Sequence, residues 1–512
     1  MLSTARGAVG AVASGGGRDP VGRIVCCAVA AAFAFLSAFG GGCSKTSEVE
    51  VVGPRVLVFG IDGGTWDVAQ ELMKGGELPN LRRLYDGGVH GVLESRPPAI
   101  SPVVWSTIFT GRPHAEHGVD SWKTSQSTYR KVKAIWDITS EAGLITHVFN
   151  VPSTWPPTEI NGVLVSGFPL SGSTVGGNTG FVVTAKAVKA GKIPGCYQGG
   201  LETIAEEAAR LETGAWSPYL EIPLPNRSSW RAAIRVKNLG DGKLYLSPCY
   251  RSDADMMMAS PPEALALIDQ HLGEPYIPEG PGWSKHAEPE TPGYLAEHLV
   301  QVSRNQTEAV SMYADTPWRL LIYVDTLVDR VSHPYWAYMA PDNYDGLDSA
   351  KAAKWKDEVR EAYRETDRQL GYLLEAIEGD VYVVIASDHG FQSSRQRDMF
   401  IGTHHMDGIF LVHGPGLAGA DADRSYIEDI GPTVLYLLEL PVARDMAGKV
   451  IPAVHEQLGR PVTLVDTYEG ERKTGQIEPV DAKTWQQLKG MGYVDPDEPA
   501  PRAAQRKGKA GQ

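Results

Sequence analysis

The chain has 512 residues, of which 42% are hydrophobic and 21% charged. That is a globular composition, with room for one large α/β domain with insertions or for two to three ordinary domains. The formal net charge of -14 argues against nucleic acid as the main partner.

The first 43 residues read as a targeting segment. Arg6, Arg18 and Arg23 precede an apolar stretch from Ile24 to Phe39, then Gly40-Gly41-Gly42-Cys43 and the polar Ser44 to Glu48. A basic region, an apolar region and a small-residue cleavage site follow one another in that order. The segment resembles a bacterial lipoprotein signal in which Cys43 is lipidated after cleavage. It departs from that pattern at Gly40, where an aliphatic is usual. An ordinary secretory signal and an uncleaved anchor, slightly short for a bilayer, are the alternatives. Residues 44–54 are a linker.

Val56 to Ile61 is an apolar run closed by Asp62 and two glycines, the pattern of a buried strand ending at a turn. Helical patterns follow, one carrying Val68 and Leu72, the next Leu81 and Leu84. Pro97 to Pro102 is a turn that opens a helix over about Val103–Phe109, with Ser101 at its start and Thr110-Gly111 at its end. Trp105 reads as a core residue on it. Strand runs recur at Thr146–Phe149 and Val163–Phe168. From Pro169 to Ala309 the texture changes to Gly, Pro and Ser, with short strands expected at Tyr219–Ile222, Arg231–Lys237 and Lys243–Ser247. Pro223 makes the first an edge strand. Asn238 to Gly242 joins the other two as a hairpin. This segment, 169–309, is expected to be a cap inserted into the domain formed by 55–168 and 310–460.

The α/β pattern resumes at Leu320–Val324, which is followed by Asp329 and His333. One helical turn brings that Asp and His to the same face. A helix is expected from Trp355 to Ile377. The run Val381–Ser387 ends in Asp388-His389-Gly390, two adjacent candidate ligands on a tight turn. Gly402-Thr403-His404 offers another imidazole before the strand Gly408–Val412, with His405 as a competitor. A C-terminal extension, 461–498, and a polar, basic, disordered tail, 499–512, complete the chain. Alternating strands and helices indicate a mostly parallel sheet covered by helices on both faces.

Asp and neutral His are the usual ligands of zinc and comparable transition metals. Asp62, Asp329, His333, Asp388, His389 and His404, with the hydroxyl of Ser101, therefore read as a two-metal site around a nucleophile. Divalent cations there would set the local field, so the acidic net charge does not exclude an anionic substrate. His114, His117 and His413 read as structural. Cys26 and Cys27 lie inside the apolar segment, while Cys196 and Cys249 are left in the folded part. In an exported protein that pair forms a disulfide or remains as two buried thiols, and no Cys-x-x-Cys supports a thiolate zinc site.

These motifs resemble the alkaline phosphatase superfamily, and within it the type I phosphodiesterase/nucleotide pyrophosphatase group. The matching segments are Val58 to Trp66, Ser101 to Gly111, Pro113 to Gly118, Asp329 to His333 with Trp336, Ser387 to Gly390, Gly402 to Ile409 and Asp429 to Thr433. By that resemblance Asp329, His333 and His404 hold one metal, and Asp62, Asp388, His389 and Ser101 surround the other. The metals would be zinc, with manganese as the alternative. Nucleotide pyrophosphatases carry an Asn shortly after the nucleophile, where this chain has Val103-Val104-Trp105. Ser101 is followed directly by Pro102, which does not match the sulfatase signature. The resemblance implies an exported, membrane-anchored lipoprotein that hydrolyses small-molecule or lipid phosphate esters, diesters above all, through a Ser101 phospho-enzyme. A monoesterase, a phosphonate-ester hydrolase, a phospho-group transferase and a silent binding lipoprotein are the rivals.

Overall fold

In the computed structural model the described residues are 52–167, 180–224, 227–252, 257–278, 291–396 and 399–470. The signal-type segment 1–43 with Cys43, most of the linker, residues 471–498 of the C-terminal extension and the tail 499–512 lie outside them. Among the described residues, no helix is long and apolar enough to cross a membrane.

Val56–Ile61 forms β1, and its six residues are all buried. Leu57, Phe59 and Ile61 enter one hydrophobic core, while Val56 and Val58 enter a second. A strand of period two can bury every residue only when both faces of its sheet are covered, so its sequence is apolar throughout. The other strands of this sheet are β2 (Val89–Glu94), β3 (Thr146–Val151), β4 (Gly162–Ser166), β5 (Ala259–Ser260), β6 (Leu320–Asp325), β7 (Tyr382–Ala386), β8 (Asp407–His413) and β9 (Ala420–Tyr426). Their order is β5-β4-β3-β6-β1-β7-β8-β2-β9. The run from β4 to β7 is parallel, as is the outer pair β2/β9, while β5, β8 and β2 introduce the antiparallel pairings. The fold is therefore α/β with a mostly parallel central sheet.

Helices cover both faces. One core takes side chains from α1 (Trp66–Lys74), α2 (Pro79–Gly87), α4 (Thr291–Ala314), α5 (Leu327–Met339) and α6 (Glu358–Ala376). The other takes α3 (Ser101–Thr110) and α7 (Ile430–Leu437). All ten residues of α3 are buried, and the hydroxyls of Ser106, Thr107 and Thr110 are satisfied by carbonyls one turn earlier on the same helix.

Several elements depart from the sequence expectation. The helix expected over Trp355–Ile377 is α6, which starts three residues later, and Trp355 belongs to a separate short helix, Ser349–Trp355. Asp348 caps that short helix through the amides of Ala350 and Lys351, so Trp355 closes a helix instead of opening one. The strand expected over Arg231–Lys237 is divided at Arg235 into Arg227–Ile234 and Val236–Gly240, which belong to different three-stranded sheets. The Arg235 amide donates to Ser247 Oγ and its guanidinium to the Ser217 carbonyl, which takes that residue out of the ladder. Pro223 lies within the edge strand Leu220–Leu224. Gly390–Gln396 pairs with Met399–His405 in a hairpin, so His404 stands ahead of β8 as expected but lies in a strand of its own. Gln392-Ser393-Ser394 has no apolar alternation, which is why the hairpin left no strand signal.

Within the segment 169–309, residues 181–251 build the two small sheets around a core that includes Tyr197, Ile204, Ile222, Ile234 and Leu246. Cys196 and Cys249 are buried there as free thiols. From Ala259 onward the chain joins the main body: β5 extends the sheet beside β4, and Ile268, Tyr276 and Leu295 enter the first core. Tyr250 and Tyr219 pack on Val302 of α4, and the Tyr250 hydroxyl meets His298 Nε2 at 3.0 Å.

Candidate metal centre

The chain leaves β1 at Ile61 while its backbone is still tied to β6, the Asp62 amide donating to the Asp325 carbonyl at 2.9 Å. Gly63 then turns with φ +73°, and a Cβ there would stand 2.6 Å from Phe391. A side chain at 63 is excluded twice, by conformation and by space. The Gly63 amide donates to Asp388 Oδ1 and the Gly64 amide to Ser387 Oγ. The two turns that follow neighbouring parallel strands thereby lock together and set Asp62 beside Asp388.

Two groups of ligand atoms result. Asp329, His333 and His404 form one, and Asp62, Asp388 and His389 the other, each with its ligand atoms within 4.8 Å of one another. Asp329 Oδ1 lies 3.4 Å from the Nε2 atoms of both His333 and His404, and 3.9 Å from His389 Nε2. The Nε2 atoms of His333 and His404 face each other at 3.2 Å, and the rings of His389 and His404 stack at 3.6 Å. His405 turns away and accepts the Asp407 amide on Nδ1. Ser101, 3% exposed at the start of α3, holds its Oγ 3.4 Å from Asp62 Oδ1. Cys43 is outside the described residues.

The imidazole tautomers follow from their partners. His404 Nδ1 is 2.6 Å from the Ala99 carbonyl, and His389 Nδ1 is 3.1 Å from the Gly390 carbonyl. A carbonyl only accepts, so both Nδ1 atoms carry the proton and both Nε2 lone pairs point inward. This is the outer hydrogen bond that metal-ligating histidines use. His389 Nε2 and Asp388 Oδ2 are buried without a hydrogen-bond partner. Unpartnered buried polar atoms are costly unless something unseen satisfies them.

The electrostatics make the same point. Burial, then Asp388 and Asp329, push the Asp62 carboxyl well above the ordinary carboxylate range. Burial, then Asp329, push Asp388 up to about 7. Burial holds His389 well below the usual imidazole value. Burial alone would raise Asp329, but His333 and His404 outweigh it and hold that carboxyl below its ordinary range. Burial alone would lower His404, and the hydrogen bond and charge of Asp329 outweigh it and raise it. Three buried carboxylates without cations repel one another and cannot all ionise. Two divalent cations would let all three ionise and leave every imidazole neutral with its lone pair inward. The donor set, the inward lone pairs and the orphaned atoms therefore fit a pair of metals.

A Type I phosphodiesterase / nucleotide pyrophosphatase family profile matches residues 56–430. The chain belongs to this family of phosphoester hydrolases. It resembles solved structures at low identity. Murine ectonucleotide pyrophosphatase/phosphodiesterase 5 is 12% identical with a TM-score of 0.38, covering 75% of this chain and 95% of that one. Phosphonoacetate hydrolase from Sinorhizobium meliloti 1021 is 15% identical with a TM-score of 0.35, over 69% of this chain and 62% of that one. A putative sulfatase from Bacteroides thetaiotaomicron VPI-5482 is 10% identical with a TM-score of 0.40, over 83% and 76%. No curated protein matches the chain.

Two contributors escaped the sequence reading. Asp325, buried at the end of β6, accepts the hydroxyls of Ser303 and Thr366 and the Leu327 amide, and so fixes the start of the helix that carries Asp329 and His333. Trp105 donates its indole N–H to Asp62 Oδ2 at 3.0 Å. Its position four residues after Ser101, one turn along the same helix face, was the available signal.

Proposed function

We propose that the protein is an exported, membrane-anchored phosphodiesterase with Ser101 as nucleophile. Asp329, His333 and His404 would hold one divalent metal and Asp62, Asp388 and His389 the other, zinc before manganese. The observation that carries this reading is the buried Ser101 hydroxyl 3.4 Å from Asp62, beside two ligand groups with inward-facing lone pairs. When bound, such a metal pair polarises a phosphoryl oxygen, lowers the pKa of a hydroxyl or water and steadies a leaving oxygen.

The chain's own groups supply the rest. Ser101 Oγ attacks phosphorus and gives up its proton to solvent, the bond to the leaving alcohol oxygen breaks as the serine–phosphorus bond forms, and that oxygen takes a proton from solvent and departs as the alcohol. Water then cleaves that bond, releasing the monoester and restoring the hydroxyl. The positive end of the α3 dipole favours the phosphoryl charge at Ser101.

A rate panel tests the reaction. It compares para-nitrophenyl phosphate, its bis ester, a phosphonate monoester and the para-nitrophenyl ester of thymidine monophosphate. The diesters should give the highest kcat/KM. A monoester preferred over both diesters would replace this reading with a phosphomonoesterase.

The anchor has its own test. Cys43→Ala should release the protein from the membrane fraction or block its processing, because each buried acyl CH₂ contributes about 0.8 kcal/mol. Unchanged membrane retention with unchanged precursor processing would favour an uncleaved anchor helix.

A further inference from the structure

The two carboxylate oxygens of Asp62 have different surroundings. Oδ1 lies 3.4 Å from Ser101 Oγ and 3.6 Å from His389 Nε2. Oδ2 accepts the Trp105 indole N–H at 3.0 Å. Trp105 is fully buried, so no solvent competes for that hydrogen bond. Its ring is fixed on two sides. It stacks on Phe109 with centroids 5.7 Å apart and planes at 18°, and it presses against Gly60, where a Cβ would stand 2.6 Å from the ring.

The geometry points to Trp105 as a positioning residue that fixes the Asp62 carboxylate so that Oδ1 alone is offered to the metal beside Ser101. This inference rests on the metal-pair reading above. An indole carries one proton and accepts nothing, so it occupies one oxygen and leaves the other to the site. The terminal torsion of Asp is otherwise broad, and an unrestrained carboxylate could turn either oxygen inward or lie between. Ser101 and Trp105 share α3, one turn apart, so a single rigid helix presents the nucleophile and orients the ligand facing it. Gly60 is part of the device: any side chain there would displace the indole.

The test uses the full-length chain in detergent, stripped of metal and titrated with zinc against a chromophoric chelator. Trp105→Phe keeps an aromatic ring in the stack, removes the donor and opens a small gap beside Gly60, a packing loss for which the stack variant below is the control. One of the two zinc-binding steps should weaken by about 10- to 100-fold, and the other should stay unchanged. At limiting zinc the variant's kcat should fall with KM little changed, and excess zinc should restore it. Phe109→Leu disturbs the same stack without touching Asp62 and should leave both zinc steps unchanged. In the wild-type chain, nitrogen–proton spectra should show an exchange-protected indole resonance that moves when zinc binds, a readout independent of how any variant folds. A folded Trp105→Phe variant with both zinc steps unchanged, or a wild-type spectrum with no indole response, would overturn this inference and leave the metal pair standing. A wild-type chain that binds no pair of zinc ions would overturn the reading beneath it.

Discussion

Ser101→Ala should cut turnover by roughly 10³-fold or more while the metal content stays near that of the wild type. The substitution removes the attacking oxygen but none of the six Asp and His donors, and its Oγ stands 3.4 Å from Asp62 without holding that carboxylate, whose other oxygen is taken by Trp105. Ser101→Thr should retain part of the rate, because the hydroxyl survives at the same helix start. Both variants should fold normally, since removing one buried hydroxyl, or adding one methyl beside it, leaves the packing of α3 nearly intact. Turnover and metal content measured on one preparation separate the possibilities. Near-normal turnover in Ser101→Ala with both metals bound would move the attack to a metal-bound hydroxide.

Asp329→Ala should be at least as damaging, by a different route. Its Oδ1 is 3.4 Å from two imidazole nitrogens and 3.9 Å from a third. No other acidic side chain belongs to the ligand group it shares with His333 and His404 among the described residues. Without it those two rings face each other at 3.2 Å with no anion between them. We expect the variant to lose one metal outright and activity to fall to background, where Ser101→Ala loses activity alone. Elemental analysis beside a rate assay checks this. Two tightly held metals in Asp329→Ala would remove that residue from the ligand set.

The sheet was legible because its strands are buried on both faces. Val56–Ile61, Leu320–Val324 and Val381–Ala386 are apolar runs of strand length rich in Val and Ile, as a strand buried on both faces requires. The carboxylates and glycines that close those runs were equally visible, since a parallel sheet delivers its polar groups at the strand ends. The hairpin Gly390–His405 was not, because Phe391 is the one large apolar residue of its first strand and Gln392-Ser393-Ser394 show no alternation. The break at Arg235 was hidden for a related reason: side chains remote in sequence, Ser217 and Ser247, capture its backbone and guanidinium. Trp105 illustrates the general limit. Its apolar neighbours mark it as core, which it is, and its place one turn after Ser101 was the single pointer to the hydrogen bond it makes to Asp62.

The metal pair is the claim on which the chemistry depends. It is tested by elemental analysis of the purified full-length chain, followed by exhaustive chelation and a rate assay on a diester. We expect close to two divalent transition metals per chain, activity lost with the metals, and activity regained when zinc or manganese is returned. A chain that remained fully active after every metal had been removed would contradict it.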